Sequence, residues 1–217
     1  MSKYKCFLFD LDGTLADTFP GIFHSYQYAA KRIGISLPTE EDVGEVIGAP
    51  LAEVFRKKFK LSDHMVQNAL YHYRDYYAIN GLCEVKQYNG MSKMLEILKK
   101  KGYLLGVTTL KKENFAKEIL KNLGIAEYFD VIIGMDDKDT LQKSQMLKRA
   151  MRVLGVSNME TVLVGDSFYD AVGAKEINID FIATTYGFGF KTLEDVSSYA
   201  HVGVIHMPME LLNYIEN

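Results

Sequence analysis

Five short runs of apolar, strand-forming residues punctuate the chain: Cys6–Phe9, Tyr103–Thr109, Val131–Gly134, Thr161–Gly165 and Ile179–Thr184. Most are followed by a stretch with helical spacing. Met91, Met94, Leu95 and Leu98 share one helix face, as do Phe115, Ile119 and Leu123, and Gly102 and Gly124 stand where these helices would stop. Such alternation of strand and helix predicts an α/β fold with a parallel sheet covered by helices.

One interval breaks the alternation. Roughly 90 residues separate the first two runs, and the spacing there is helical throughout. Ile22, Phe23, Tyr26, Ala30 and Ile33 form a stripe closed by Gly34. Thr39 and Asp42 have the spacing of a capping box for a second helix, Leu51, Val54 and Phe55 mark a third, and Val66, Leu70, Tyr73 and Tyr77 a fourth ending near Gly81. The expected architecture is a Rossmann-like parallel sheet core, residues 1–16 and 84–217, with a four-helix cap domain, residues 17–83, inserted after the first strand. Taking those 67 residues from 217 leaves 150, an ordinary size for one α/β domain.

Hydrophobic residues make up 48% and charged residues 24%, so a sizeable core can be buried. With 25 Lys+Arg against 28 Asp+Glu, the formal charge of -3 provides no basic footprint for nucleic acid or anionic lipid. Two cysteines, Cys6 and Cys83, are too few for a disulfide framework. No apolar run approaches a membrane span, and the one after Met1-Ser2-Lys3-Tyr4-Lys5 is too short for a signal peptide, so a cytoplasmic location is expected. A monomer or a homodimer is expected.

The most specific stretch is Phe7-Leu8-Phe9-Asp10-Leu11-Asp12-Gly13-Thr14-Leu15, a strand ending in two carboxylates two residues apart and a glycine. Open α/β sheets bind ligands beyond the carboxyl ends of their strands, which is where both carboxylates would sit. One carboxylate can attack phosphorus while a second serves as general acid and then general base. Gly13 permits a sharp turn whose N–H groups can face phosphate oxygens. On these residues alone, a simple turn or a calcium loop fits as well.

Three more features favour phosphate chemistry. Thr108 and Thr109 place hydroxyls at the end of the second long strand, although strand-end threonines commonly serve only the strand. Lys143 stands just before the helix carrying Leu147, Ala150 and Leu154, within reach of the same edge. Val162-Leu163-Val164-Gly165-Asp166 is a second strand ending in a carboxylate, followed by Asp170. Mg²⁺ takes oxygen ligands, and Asp10 and Asp166 can supply them. Ser167 and Asp170 also have capping-box spacing, which requires no metal.

These motifs, in this order, resemble the haloacid dehalogenase-like hydrolases, and within them the phosphoglycolate phosphatase type with a helical cap after the first strand. The likeness spans nearly the whole chain. It implies that Asp10 is a nucleophile, Asp12 an acid/base whose backbone carbonyl also ligates the metal, Thr108 (with Thr109 beside it) and Lys143 the phosphoryl-binding groups, and Asp166 a direct Mg²⁺ ligand with Asp170 as a direct or water-mediated one. The implied substrate is a small phosphorylated metabolite. Asp12 separates this pattern from the dehalogenases, which lack the second acid.

Departures occur. Thr108-Thr109-Leu110-Lys111 differs from the usual Thr, Ser or Asn, Lys order, and Ser144 rather than Pro follows Lys143. Lys138 is an alternative to Lys143. The turn Ile47-Gly48-Ala49-Pro50-Leu51 and the run Tyr71–Tyr77 resemble a branch that includes proteins described as 5′-nucleotidases, and most of those tyrosines suit packing. No P-loop, dinucleotide fingerprint or nucleophile elbow occurs, and the five histidines show no ligand spacing. A phosphatase is expected; a sugar-phosphate mutase and a non-catalytic phosphate sensor are the alternatives.

Overall fold

The computed structural model describes residues 3–136 and 140–215; Lys138 lies outside them. The central strand β1 (Cys6–Phe9) leads through a short β2 (Ala16–Asp17) into four helices, α1 (Phe19–Ile33), α2 (Glu40–Gly44), α3 (Leu51–Lys57) and α4 (Asp63–Tyr76). The chain returns through β3 (Lys86–Gln87) to α5 (Met91–Lys100), β4 (Leu104–Lys112), α6 (Glu113–Asn122) and β5 (Val131–Met135). It then continues through α7 (Lys143–Leu154), β6 (Thr161–Gly165), α8 (Phe168–Glu176), β7 (Asp180–Thr184), α9 (Leu193–Ser197) and β8 (Gly203–Ile205).

Six strands form one sheet in the order β5-β4-β1-β6-β7-β8, every pair parallel. All four residues of β1 are buried, and they alternate between two cores, as a strand with period two must. Phe7 and Phe9 join the core containing Met94, Leu95, Leu98 and Ile119, while Cys6 and Leu8 join the one containing Leu147, Ala150 and Ala174. Strand order diverges on either side of β1, with β4 beside one edge and β6 beside the other. That divergence opens a crevice at the carboxyl end of β1, directly after Phe9.

The helical insertion follows the expected punctuation. Gly34 ends α1 with φ 74°, and Thr39 and Asp42 cap α2 reciprocally at 3.0 and 3.1 Å. Its core is aromatic, with Tyr26 4.9 Å from Tyr73 and 5.3 Å from Phe55 between ring centroids. Past α4 the chain takes a π-helical turn, Tyr77–Gly81, and a side chain at Gly21 would meet the Gly81 carbonyl at 2.5 Å. The beginning and end of the insertion are therefore packed backbone to backbone. Tyr77 also rests on Phe115 of α6, centroids 5.5 Å apart.

Three features differ from the sequence expectation. β4 runs on to Lys112, with an irregular register after Thr108. β8 adds a sixth strand, and β2 pairs antiparallel with β3 in a two-residue ribbon. Among the described residues, no helix is long and apolar enough to cross a membrane.

Candidate active site

Asp10 is the first residue beyond β1. Its N–H donates to the Val164 carbonyl at 2.9 Å, which fixes it against β6, and its side chain lies at the floor of the crevice. Lys143, the first residue of α7, reaches across to it. The Lys143 Nζ donates to Asp10 Oδ1 at 2.7 Å and to the Thr108 carbonyl at 2.6 Å, and lies 2.6 Å from Asp170 Oδ1. Burial opposes a charge on Lys143, but the two carboxylates outweigh it and hold the ammonium above its ordinary range. Burial pushes the Asp10 carboxyl well up, with Lys143 pulling the other way and the Asp170, Asp12 and Asp166 charges adding to the rise.

Asp12 lies two residues further on. Its Oδ1 accepts from Thr18 Oγ1 at 2.5 Å and is 3.0 Å from Lys111 Nζ, which also lies 4.4 Å from the Tyr77 ring centroid. Gly13 turns the chain there with φ 80°, and a Cβ on it would stand 2.2 Å from Asp166 Oδ2. No residue with a side chain fits that turn.

Asp166 follows β6 as Asp10 follows β1. Burial, and then the charge of Asp170, push its carboxyl up to about 7, while N–H groups of Gly189 and Phe188 oppose the rise. Asp170 is set by the predicted capping box: its Oδ2 accepts from Ser167 N–H at 3.2 Å and Ser167 Oγ at 2.5 Å. Asp10, Asp166 and Asp170 are all buried and offer oxygens within 4.8 Å of one another. The all-oxygen donor set and the burial-driven rise at Asp10 and Asp166 suit a hard divalent cation, which would remove the cost of their close charges.

The two threonines separate, as consecutive strand residues must. Thr109 lines a small cavity of about 10 Å³ with Asp10, Asp12, Lys143 and Asp170. Thr108 is absent from that lining; its Oγ1 is buried with no hydrogen-bond partner, and it meets Lys143 through its carbonyl. A larger cleft of about 450 Å³ opens between the insertion and the sheet edge, lined by Asp12, Tyr26, Ile47, Arg74, Lys111 and Phe115 among others. Asp12, Gly48 and Leu110 border both spaces.

Sequence reasoning did not single out Thr18, Lys111 or the N–H groups of Phe188 and Gly189 as contacts of the acids. The departure at Leu110-Lys111 and the Gly-x-Gly spacing at 187–189 were the visible signals, and neither names a partner.

Residues 7–184 match the family model described as "Haloacid dehalogenase-like hydrolase". The chain is 32% identical over 188 residues to a 5′-nucleotidase of Pseudomonas aeruginosa, covering 86% of this chain and 85% of that one. It is also 32% identical over 192 residues to a phosphoglycolate phosphatase of Neisseria meningitidis, covering 85% and 82%. Among solved structures, a haloacid dehalogenase-like hydrolase from Streptococcus pneumoniae superposes over the whole of both chains with a TM-score of 0.91 and 30% identity.

Proposed function

The chain belongs to the haloacid dehalogenase-like hydrolases, and from that premise we propose a Mg²⁺-dependent phosphatase that hydrolyses a small phosphate monoester through an aspartyl phosphate on Asp10. That it is a phosphoric monoester hydrolase follows from the family and from relatives named phosphatases. The metal, the intermediate and a substrate of phosphoglycolate or nucleoside monophosphate type are the finer reading. One observation carries it: Asp10 lies buried at the sheet's switch point, held on one oxygen by Lys143, with Asp166 and Asp170 close enough to share a cation.

In this reading Asp10 attacks phosphorus, forming the P–O bond as the ester P–O bond breaks, and Asp12 gives its proton to the departing alcohol. Asp12 then takes a proton from water, which attacks the aspartyl phosphate and releases inorganic phosphate with Asp10 restored. Lys143 and the Thr109 hydroxyl hold phosphoryl oxygens, and the Thr108 carbonyl holds Lys143. Asp10, Asp166 and the Asp12 carbonyl, with Asp170 directly or through water, would hold Mg²⁺, which when bound would neutralise charge on the phosphoryl group. Residues 17–83 act as the cap, jointed at the β2–β3 ribbon, and their cleft takes the leaving group.

The test is phosphate release from a panel of phosphoglycolate, 5′-nucleotides and sugar phosphates, with Mg²⁺ and after chelation. Asp10→Asn should lower kcat by about 10⁴ or more, and wild-type protein quenched in acid should carry an alkali-labile phosphate. Turnover by the Asn variant at the wild-type rate, or full activity after exhaustive chelation, would refute the mechanism.

A further inference from the structure

Asp166 is enclosed by the loop between β7 and α9 in a way that the four sequence motifs do not account for. Three consecutive N–H groups of that loop point at this one residue. Phe188 N–H donates to Asp166 Oδ2 at 2.6 Å, Gly189 N–H donates to the same oxygen at 3.0 Å, and Phe190 N–H donates to the Asp166 carbonyl at 2.7 Å. Successive main-chain donors of this kind form an anion-holding concavity.

The fit depends on absent side chains. A Cβ at Gly187 would lie 2.4 Å from Asp166 Oδ2 and 2.2 Å from the Gly13 carbonyl, and one at Gly189 would lie 2.4 Å from the Asp166 carbonyl. Each of those atoms is main chain or a buried carboxylate, so no flexible group can yield. The loop is anchored from outside. Lys191 Nζ donates to the Gly187 carbonyl, and the Phe188 ring rests on Phe19 at the start of α1, centroids 6.3 Å apart.

Oδ2 accepts from two loop donors, the second carboxylate oxygen of Asp166 accepts from neither of them, and Asp166 offers one oxygen to the cluster with Asp10 and Asp170. We propose that the Gly187–Gly189 segment is a positioning element of the cation site: its Phe188 and Gly189 N–H groups hold Asp166 by one oxygen so that the other is presented to the metal. This rests on the metal reading given above. The donors carry no net charge, so they orient Asp166 without competing with a cation as a lysine in their place would. Outer contacts that orient a metal ligand are worth about 10–100-fold in affinity when removed.

Phe188→Pro deletes one of the two donors, whereas Phe188→Ala keeps it and removes only the ring. Binding of Mn²⁺ to the metal-free protein, titrated by the loss of the free-ion EPR signal, should weaken about 10–100-fold for the proline and less than about threefold for the alanine. The Mg²⁺ concentration for half-maximal phosphate release should rise in parallel for the proline, while kcat at saturating Mg²⁺ changes far less. A purely structural lesion would lower kcat at all metal concentrations. If the proline variant does not fold, Gly187→Ala, whose Cβ displaces Oδ2, must show the same loss of Mn²⁺ affinity in a protein that melts cooperatively. Proline binding as tightly as wild type, or alanine losing as much as proline, overturns the assignment to the N–H groups. Wild-type protein that takes up no Mn²⁺ overturns the metal reading itself.

Discussion

Replacing Lys143 with methionine tests the electrostatics of the site most directly. The ammonium lies 2.7 Å from Asp10 Oδ1 and 2.6 Å from both Asp170 Oδ1 and the Thr108 carbonyl, and its side chain is 5% exposed. Methionine keeps most of the length and volume, so the perturbation is loss of charge rather than opening of a cavity. Asp10 and Asp170 then share a buried space with no ammonium between them. Removing one side of a buried ion pair costs about 3–5 kcal/mol. In a chain of this length each kcal/mol lowers Tm by about 2–4 °C, so the metal-free variant should melt roughly 6–20 °C below metal-free wild type at pH 8.

The pH dependence has a definite sign. Burial already holds the Asp10 carboxyl above its ordinary range against the pull of Lys143, and without Lys143 it rises further. A carboxyl raised above its unfolded value of about 3.9 contributes stability that is full below that value and is lost as pH rises through the folded one. The variant suffers this loss more than wild type, so the deficit should close as pH falls from 8 toward 5. Thermal melts of both proteins with chelator at four pH values measure it. A deficit under about 1 kcal/mol at pH 8, far below the buried-pair cost, or one that widens toward pH 5, refutes the reasoning. Adding Asp170→Asn to the variant removes one of the two carboxylates and should return part of the loss in a double-mutant cycle.

Three shorter predictions follow from the same geometry. Thr108→Val replaces a buried hydroxyl that has no partner, so it should leave stability unchanged or raise it by about 1 kcal/mol, whereas Thr109→Val should cost about 10–100-fold in kcat/KM, the worth of one hydrogen bond to a charged oxygen. Asp166, pushed up to about 7, favours the fold fully below about pH 4 and loses that contribution as pH rises through 7, so urea midpoints of chelated protein should fall between pH 5 and 8, and Mg²⁺ at pH 8 should restore them. A chelated midpoint that rises over that range would count against it. Gly13→Ala places a Cβ 2.2 Å from Asp166 Oδ2 at a φ of 80°, and a destabilisation of at least about 2 kcal/mol is expected in equilibrium unfolding, from strain added to displacement of a buried carboxylate.

What the sequence revealed and what it concealed divide along a physical line. Runs such as Thr161–Gly165 are long enough and apolar enough to announce themselves, and the helices of the insertion are marked by stripes and caps that hold in the structure, Gly34 and the Thr39–Asp42 pair among them. The ribbon Ala16–Asp17 with Lys86–Gln87 has two residues a side and β8 has three, too few for any periodicity to show. β4 was expected to stop at Thr109, but it continues irregularly to Lys112, and that continuation brings Lys111 to Asp12. A strand's length beyond its apolar run is decided by what it pairs with, here Met135 of β5 opposite Lys112.

The same line runs through the site. Four carboxylates at one edge of a sheet repel one another unless nearby positive charges and hydrogen-bond donors offset them, and the kind of partner varies along the edge. Asp10 has the Lys143 ammonium, Asp12 has Lys111 and the Thr18 hydroxyl, Asp170 shares Lys143 and has Ser167, and Asp166 has two main-chain N–H groups. Side chains that meet a neighbour within one turn, as Ser167 meets Asp170, can be read from spacing. Lys143 could be placed at the edge from its position before a helix, but its hold on Asp10 spans 133 residues and its role as counter-charge appears only in three dimensions. Main-chain donors have no residue type at all. Their one trace is the glycines that let the backbone come close, which is why Gly187 and Gly189, without a fingerprint in the sequence, mark the part of the site where Asp166 is most tightly held.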